Sequence, residues 1–249
     1  MKRSLKNMTG YNVEMLDGPS GKAKDFLFDE ESWIVRYLEI EYGSFFQGKR
    51  ILIPNTFLKD PDWNKKQFPV NLSQQDLESC PDLDERTPVS RAYEKSLSEY
   101  YGIDDYWPTI YAPPMGITPY FPPRPLRSPS KIVDESDMDT SLRSFKEVKG
   151  YHIRATDGKL GHVEDMIVDD ADWQVVYLIV DTSNWLPWSK VVILSIDWLD
   201  KISYTNQEVT INLKSEHIKH APEYDPSHPI EMDYEKVLYE YYNDILGEK

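Results

Sequence analysis

The sequence predicts an all-β protein with minor helix, built as two small six-stranded β-barrels in tandem, each followed by a short helix. Three observations carry that expectation. The chain repeats itself at an offset of 140 residues, each copy strings short strand-like runs between tight turns, and each copy ends in a tyrosine-rich phrase with helical spacing. A repeat of this length means one structural unit used twice.

The offset of 140 aligns Gly10 with Gly150 and Tyr11 with Tyr151, then Asp17-Gly18 with Asp157-Gly158 and Gly21 with Gly161. It continues without a gap through Asp25/Asp165, Asp29/Asp169, Trp33/Trp173, Val35/Val175 and Tyr37-Leu38/Tyr177-Leu178. Beyond residue 60 the offset becomes 141, pairing Asn71-Leu72 with Asn212-Leu213, Pro81 with Pro222, and Tyr93-Glu94-Lys95 with Tyr234-Glu235-Lys236.

Within each copy a short run (YNVEML or YHIRAT) leads into Asp-Gly and then KAKDFLFD or HVEDMIVD. Asp-Gly between such runs predicts a hairpin, because glycine supplies the positive φ that the turn requires. The next run, WIVRYLEIE or WQVVYLIVD, is aromatic and β-branched and suits a pleated, half-buried surface. RILIP and KVVILS give a fourth strand, QFPVN and EVTIN a fifth, and a brief helix starts at Ser73 or Ser215 and stops before Pro81 or Pro222. Short strands with tight turns favour closure into a barrel, which removes exposed sheet edges.

The tyrosine phrases predict helices. Tyr93, Leu97, Tyr100 and Tyr101, like Tyr234, Leu238, Tyr241 and Tyr242, fall at i, i+4, i+7 and i+8. Pro88 and Pro229 suit a first turn, and Thr87 suits the cap of the first helix. A helix of about twelve residues is marginal alone in water, so each stripe is expected to seal a barrel, with the tyrosine hydroxyls at its wet edge. Between the copies, residues 106–129 hold eight of the 18 prolines, which predicts an extended spacer rather than helix or central strand. The expected boundaries are 1–85 for the first barrel, 86–105 for its helix, 106–143 for the linker, 144–227 for the second barrel and 228–249 for its helix.

Hydrophobic content of 40% with 13% aromatics is enough for folded cores in 249 residues. A formal net charge of -15 repels phosphate backbones, so no nucleic-acid partner is expected. Cys80 is the only cysteine, which excludes an internal disulfide and a cysteine zinc site. The N-terminal residues carry no apolar run behind their basic ones, and VVYLIV at 175–180 is far too short to span a bilayer. A cytoplasmic location is expected.

The pattern G-Y-x-V/I, then D-G, G, D-φ-φ-φ-D and W-x-V-x-Y-L, followed by a basic-led apolar strand, resembles the PRC-barrel domain. That domain is shared by the H subunit of photosynthetic reaction centres and the C-terminal part of the bacterial 16S rRNA maturation factor. The resemblance covers about residues 4–85 and 144–225 and is greatest to bacterial proteins with two such barrels, whose units end in a similar tyrosine-rich tail. It implies a compact six-stranded barrel per unit and a role in docking or assembly. It carries over no catalytic residues. The reaction-centre subunit has an N-terminal membrane helix with no counterpart here, and the maturation factor pairs its barrel with a different domain.

The candidates for chemistry are few. His217 and His220 form an i, i+3 pair able to sit on one helical face and bind a transition metal. Their counterparts are Asp76 and Ser79, so the pair is not part of the repeated design and no metal or other cofactor is expected; His152, His162 and His228 are also private to one copy. Asp165 and Asp169, four apart on one predicted strand with Asp25 and Asp29 as counterparts, are the pair a hydrolase would use; turn and strand-end hydrogen bonding is the simpler role. Ser189-Lys190 and Cys80 lack a nucleophile context, and no glycine-rich phosphate loop is present. Trp173, which matches Trp33, is expected in the core. Trp185 and Trp188 either anchor a partner or cap a barrel end, and with Tyr241 and Tyr242 they are the candidate partner-binding residues. The function expected is a non-enzymatic interaction or assembly module with a protein partner, as monomer or homodimer. A small-ligand or metal-binding protein using the inter-barrel groove is the alternative.

Overall fold

The computed structural model describes residues 1–42, 49–81, 89–107, 140–182, 190–226, 228 and 230–247. The chain divides into two compact units, one of Met1–Glu78 with Ser141–Lys249 and one of Ser79–Thr140. The strands of both copies therefore belong to a single unit, while the first copy's tyrosine phrase falls in the other.

The first copy runs β1 (Lys2–Ser4), α1 (Leu5–Met8), β2 (Asn12–Met15), β3 (Gly18–Asp29), β4 (Ile34–Tyr42), β5 (Lys49–Pro54), β6 (Gln67–Pro69) and α2 (Gln74–Ser79). After α3 (Arg91–Tyr101), the second copy runs β7 (Leu142–Ser144), α4 (Phe145–Val148), β8 (His152–Ala155), β9 (Gly158–Asp169), β10 (Gln174–Asp181), β11 (Val191–Ser195), β12 (Leu199–Ser203), β13 (Glu208–Ile211), α5 (Ser215–His220) and α6 (Met232–Gly247). Every strand and helix expected from the sequence is present. The expected fold class, all-β with minor α, holds.

The two copies repeat one strand order. β13-β8-β9-β10-β11 in the second matches β6-β2-β3-β4-β5 in the first. β12 pairs with β13, whereas the first copy keeps only the isolated bridges Leu58 to Val70 and Asp62 to Gln67 in that place. The Asp-Gly turns do a second job besides turning the chain. Asp17 accepts the Gln74 N–H at the start of α2 (2.9 Å), and Asp157 accepts the Ser215 N–H at the start of α5 (2.8 Å). Gly21 and Gly161 sit where β3 and β9 approach the next strand. A Cβ at either would collide with the carbonyl oxygen of Glu41 or Asp181, and both have positive φ, so only glycine fits.

The sequence expects separate barrels in tandem; the structure joins them. β1 leaves its own copy and pairs with β9 of the second, in the register Lys2 to Asp169, Arg3 to Val168 and Ser4 to Ile167. β7 crosses the other way to β3, with Leu142 to Asp29, Arg143 to Phe28 and Ser144 to Leu27. The chain turns back into its own copy at Gly10 and Gly150, whose φ values of 90° and 94° are open to glycine. The expected linker end at residue 143 falls inside β7. Three-residue strands carry no periodicity of their own, which is why sequence patterning passes over them.

At the centre β10 and β4 pair at Gln174 and Ile34, and the Trp33 and Trp173 carbonyls accept the Val175 and Val35 N–H groups at 2.7 and 2.8 Å. Both tryptophans sit at φ near +60°, a left-handed conformation that is costly for a bulky side chain. Trp173 is buried and its ring stacks at 6.4 Å on Phe26, a residue of the other copy. Its expected core position is correct, but the core is shared. Continuous burial from Asp25 to Asp29 has the same origin, since both faces of β3 are covered there.

α6 packs on the second copy. Leu238 and Tyr242 are fully buried, and Tyr242 lies 4.0 Å from Trp198, centroid to centroid. The Tyr234 hydroxyl donates to the Pro222 carbonyl (3.2 Å), the Tyr241 hydroxyl to the His217 carbonyl (2.7 Å), and the Tyr177 hydroxyl to Glu235 (2.5 Å). The wet-edge expectation fails for Tyr242, whose hydroxyl is buried with no hydrogen-bond partner among the described residues.

In the smaller unit, α3 is capped by Ser90, whose hydroxyl accepts the Tyr93 N–H at 3.2 Å, rather than by Thr87. The helix starts at Arg91, so Pro88 precedes its first turn; Thr87, Pro88 and Pro229 lie outside the described residues. Gly102 ends the helix in the left-handed conformation. Tyr93 donates to the Pro81 carbonyl (3.1 Å), as Tyr234 does to Pro222. Leu97 and Glu94 are fully buried, and Glu94 accepts from the Tyr106 and Thr140 hydroxyls beside Arg91.

Candidate functional site

Three of the polar pairs that the repeat duplicates meet at the crossed segments. A register shift between Ala23 and Asp25 in β3, matched in β9–β10 pairing between Asp165 and Val163, places a bulge before each aspartate and aims it at the incoming segment. Asp165 accepts the Ser4 hydroxyl, the Lys6 N–H (3.0 Å) and the Met166 N–H (2.7 Å). Asp25 accepts the Ser144 hydroxyl, the Lys146 N–H (3.1 Å) and the Phe26 N–H (2.8 Å). The same serines cap the short helices α1 and α4. Burial pushes the Asp25 carboxyl up to about 6, against the opposing effect of its hydrogen bonds, and raises Asp165 in the same direction.

Arginines clamp the other side. Arg3 Nε donates to Asp170 (3.1 Å) with its guanidinium 3.8 Å over the Trp63 ring; Arg143 donates to Glu30 (2.7 Å) with its guanidinium 4.2 Å over Tyr204. Leu5, Met8, Phe145 and Val148 are buried beneath. Patterning by strand and helix misses these residues, although the 140 offset carries them: Arg3-Ser4 matches Arg143-Ser144 and Lys6 matches Lys146.

Asp165 and Asp169, the hydrolase candidates, are not aimed together at a cleft. β1 lies across β9 in the register that sets Lys2 against Asp169 and Ser4 against Ile167. Asp169 accepts the Ala171 N–H at 3.2 Å, and Asp29 accepts Ser32 N–H at 3.1 Å, both strand-end turns. The repeated carboxylates are occupied by structural hydrogen bonds.

A cavity of about 550 Å³ opens beside the β1–α1 segment, with Arg3, Lys6, Trp63, Tyr224 and Ile230 in its wall. Arg3 and Lys6 there are paired with Asp170 and Glu164. The first copy carries the ion pair Arg50–Glu39 (2.8 Å) where the cavity wall has Val191 and Ile179.

The histidine pair is turned to its own helix. His217 Nδ1 faces the Lys214 N–H at 3.4 Å, and His220 Nδ1 lies 3.0 Å from the Glu216 carbonyl. His228 contacts Asp225 at 2.9 Å, and His162 lies 3.7 Å from Glu164. No group of three or more His, Cys, Asp or Glu side chains gathers among the described residues. Trp185, Trp188 and Ser189 lie outside the described residues. Tyr241 is half-buried and Tyr242 fully buried, so only the first offers any ring surface. Among the described residues, the exposed large apolar side chains of α6 are Met232 (83%), Val237 (52%) and Tyr239 (39%), which sequence spacing did not single out. No helix among the described residues is long and apolar enough to cross a membrane.

No curated protein matches the sequence. The PRC-barrel domain family model matches residues 142–218, from the crossed strand β7 into α5. The second copy, begun by its exchanged strand, is a PRC-barrel domain.

Proposed function

We propose that this chain is a non-enzymatic interaction and assembly module made of two PRC-barrel domains, the first copy being the second such domain. One observation supports this above the rest: three polar pairs kept in both copies, Ser4/Ser144, Asp25/Asp165 and Arg3/Arg143, hold the copies to each other. Function belongs to sites rather than folds, and here the duplicated site is a joint. The exposed Met232 and Tyr239, seven residues apart and so on one side of α6, add apolar surface for a protein partner. A cytoplasmic location accords with the acidic composition and the lack of spanning helices among the described residues.

Affinity capture from native cells tests the proposal, with wild type beside the double variant Met232→Glu/Tyr239→Glu. The expected result is one protein complex recovered by wild type and lost with the variant. Equal recovery by both, or none by either, removes the interaction role of α6. The second reading, a small ligand in the cavity, is favoured by its volume, within the usual range of about 300–1,000 Å³ for ligand sites. A stoichiometric adduct in native mass spectrometry of protein from its own cells would select it.

A further inference from the structure

The crossed segments are held by recognition rather than by continuity of the chain. Each is a three-residue strand, a serine that bonds an aspartate while capping one helical turn, an arginine clamped between a carboxylate and an aromatic ring, and two buried apolar anchors. The two copies make this set of contacts independently, with Leu5 replaced by Phe145 and Met8 by Val148. The serine–aspartate and arginine–carboxylate bonds are with the opposite copy, whereas the ring under each arginine, Trp63 or Tyr204, belongs to the arginine's own copy. The segment rejoins its own copy just past the positive-φ glycine, where the Ala23 N–H bonds the Tyr11 carbonyl at 2.8 Å.

We propose that the β9 edge, with Asp165 and Asp170, is a strand-addition site for a segment reading Arg-Ser-apolar-Lys, and that a second copy of this chain supplies that segment in trans. Main-chain pairing would provide affinity, and the serine, arginine and apolar anchors would provide specificity. Between the two sites β9 is the better built, because Lys2 also pairs with Glu235 (3.0 Å) and Lys6 with Glu164. A site that takes the segment within one chain presents the same groups to the segment of another, and the choice between them is set by effective concentration. The result is a strand-exchanged dimer in which each chain completes the other's β9 site. The proposal specifies the partner within the assembly role and rests on that role, yet fails separately from it: capture of a foreign complex through α6 does not depend on exchange.

Two experiments decide it. In the first, a specific protease site is placed between Thr9 and Gly10 of the full chain, and the folded protein is cut. A synthetic peptide of residues 1–9, labelled at its C-terminal end, is expected to exchange into the cut protein with saturation. An unlabelled peptide of residues 141–149 should compete, and Ser4→Ala in the peptide should weaken binding about tenfold, the usual scale for losing a hydrogen bond to a charged group. Equal binding of a scrambled peptide, or no exchange into cut protein that keeps its circular dichroism, overturns the site. In the second, the uncut variant Lys2→Cys/Asp169→Cys is refolded over a range of concentrations under oxidising conditions and sized. A dimer fraction that rises with concentration, with the new disulfide joining two chains, is expected. Monomer at every concentration, or a disulfide within one chain in the dimer peak, overturns exchange in trans.

Discussion

Asp25 is a buried carboxylate whose three hydrogen bonds do not fully offset desolvation, so its pKa is raised from 3.8 to about 6. A raised carboxyl pKa means that the folded state binds the proton more tightly than the unfolded one. Its contribution therefore makes the protein more stable as pH falls from about 6 to about 4, and costs stability at pH 7. Asp25→Asn preserves the geometry, since an amide oxygen can accept from Lys146 and Phe26 while its NH₂ donates to Ser144. The variant is expected to gain roughly 1–3 kcal/mol over wild type at pH 7 and to lose that advantage below pH 4, as read from urea melts across that range. A flat difference would show that Asp25 is not the group responsible. At Tyr242 the hydroxyl is buried without a partner among the described residues. Removing an unsatisfied polar group relieves its desolvation cost, so Tyr242→Phe should leave stability unchanged or raise it by up to about 1 kcal/mol. A loss above that in thermal melts would mean that the hydroxyl is bonded.

For the helices, amphipathic spacing was legible because it depends only on the 3.6-residue period. Leu238 in α6 and Leu97 in α3 are both wholly buried. Leu238→Ala and Leu97→Ala should each cost about 2–5 kcal/mol in denaturant melts, the range for truncating a buried leucine. Near-wild-type curves would make the helices appendages. The cap was misplaced because Thr87 and Ser90 are both acceptable by type, and only the path of the chain puts Ser90 at the helix start. The crossed strands β1 and β7 were illegible as strands, since three residues show no alternation. Their arginine, serine and lysine repeat at the 140 offset too, ahead of the Gly10/Gly150 pair at which the alignment was begun.

At the scale of the molecule, each copy is completed by a segment of the other, and this gives a direct expectation. If a specific protease site is inserted within residues 108–139 and the folded protein is cut, the two halves should stay together on gel filtration and separate only in denaturant. The joint consists of two exchanged strands, buried anchors and the central β4–β10 contact, none of which uses the connecting peptide. Separation under native conditions would mean that the exchange adds little. The net charge of -15 leads to a second expectation, that binding to RNA or DNA at physiological salt is negligible. Tight, salt-sensitive retention in a filter assay would reveal a local basic surface.

By itself the sequence determined the duplication, the strand and helix segments within each copy, the Asp-Gly turns and the PRC-barrel resemblance. These follow from local periodicity, turn chemistry and self-comparison. Only the tertiary structure decided that β1 and β7 change places, that Asp25 and Asp165 receive their serines, and that Trp173 lies against Phe26 of the other copy. The two copies carry nearly the same segment and the same receiving strand, so each segment fits either site by sequence alone. Which one it occupies is settled by the path of the chain through Gly10 and Gly150, and by the packing of the two sheets across β4 and β10.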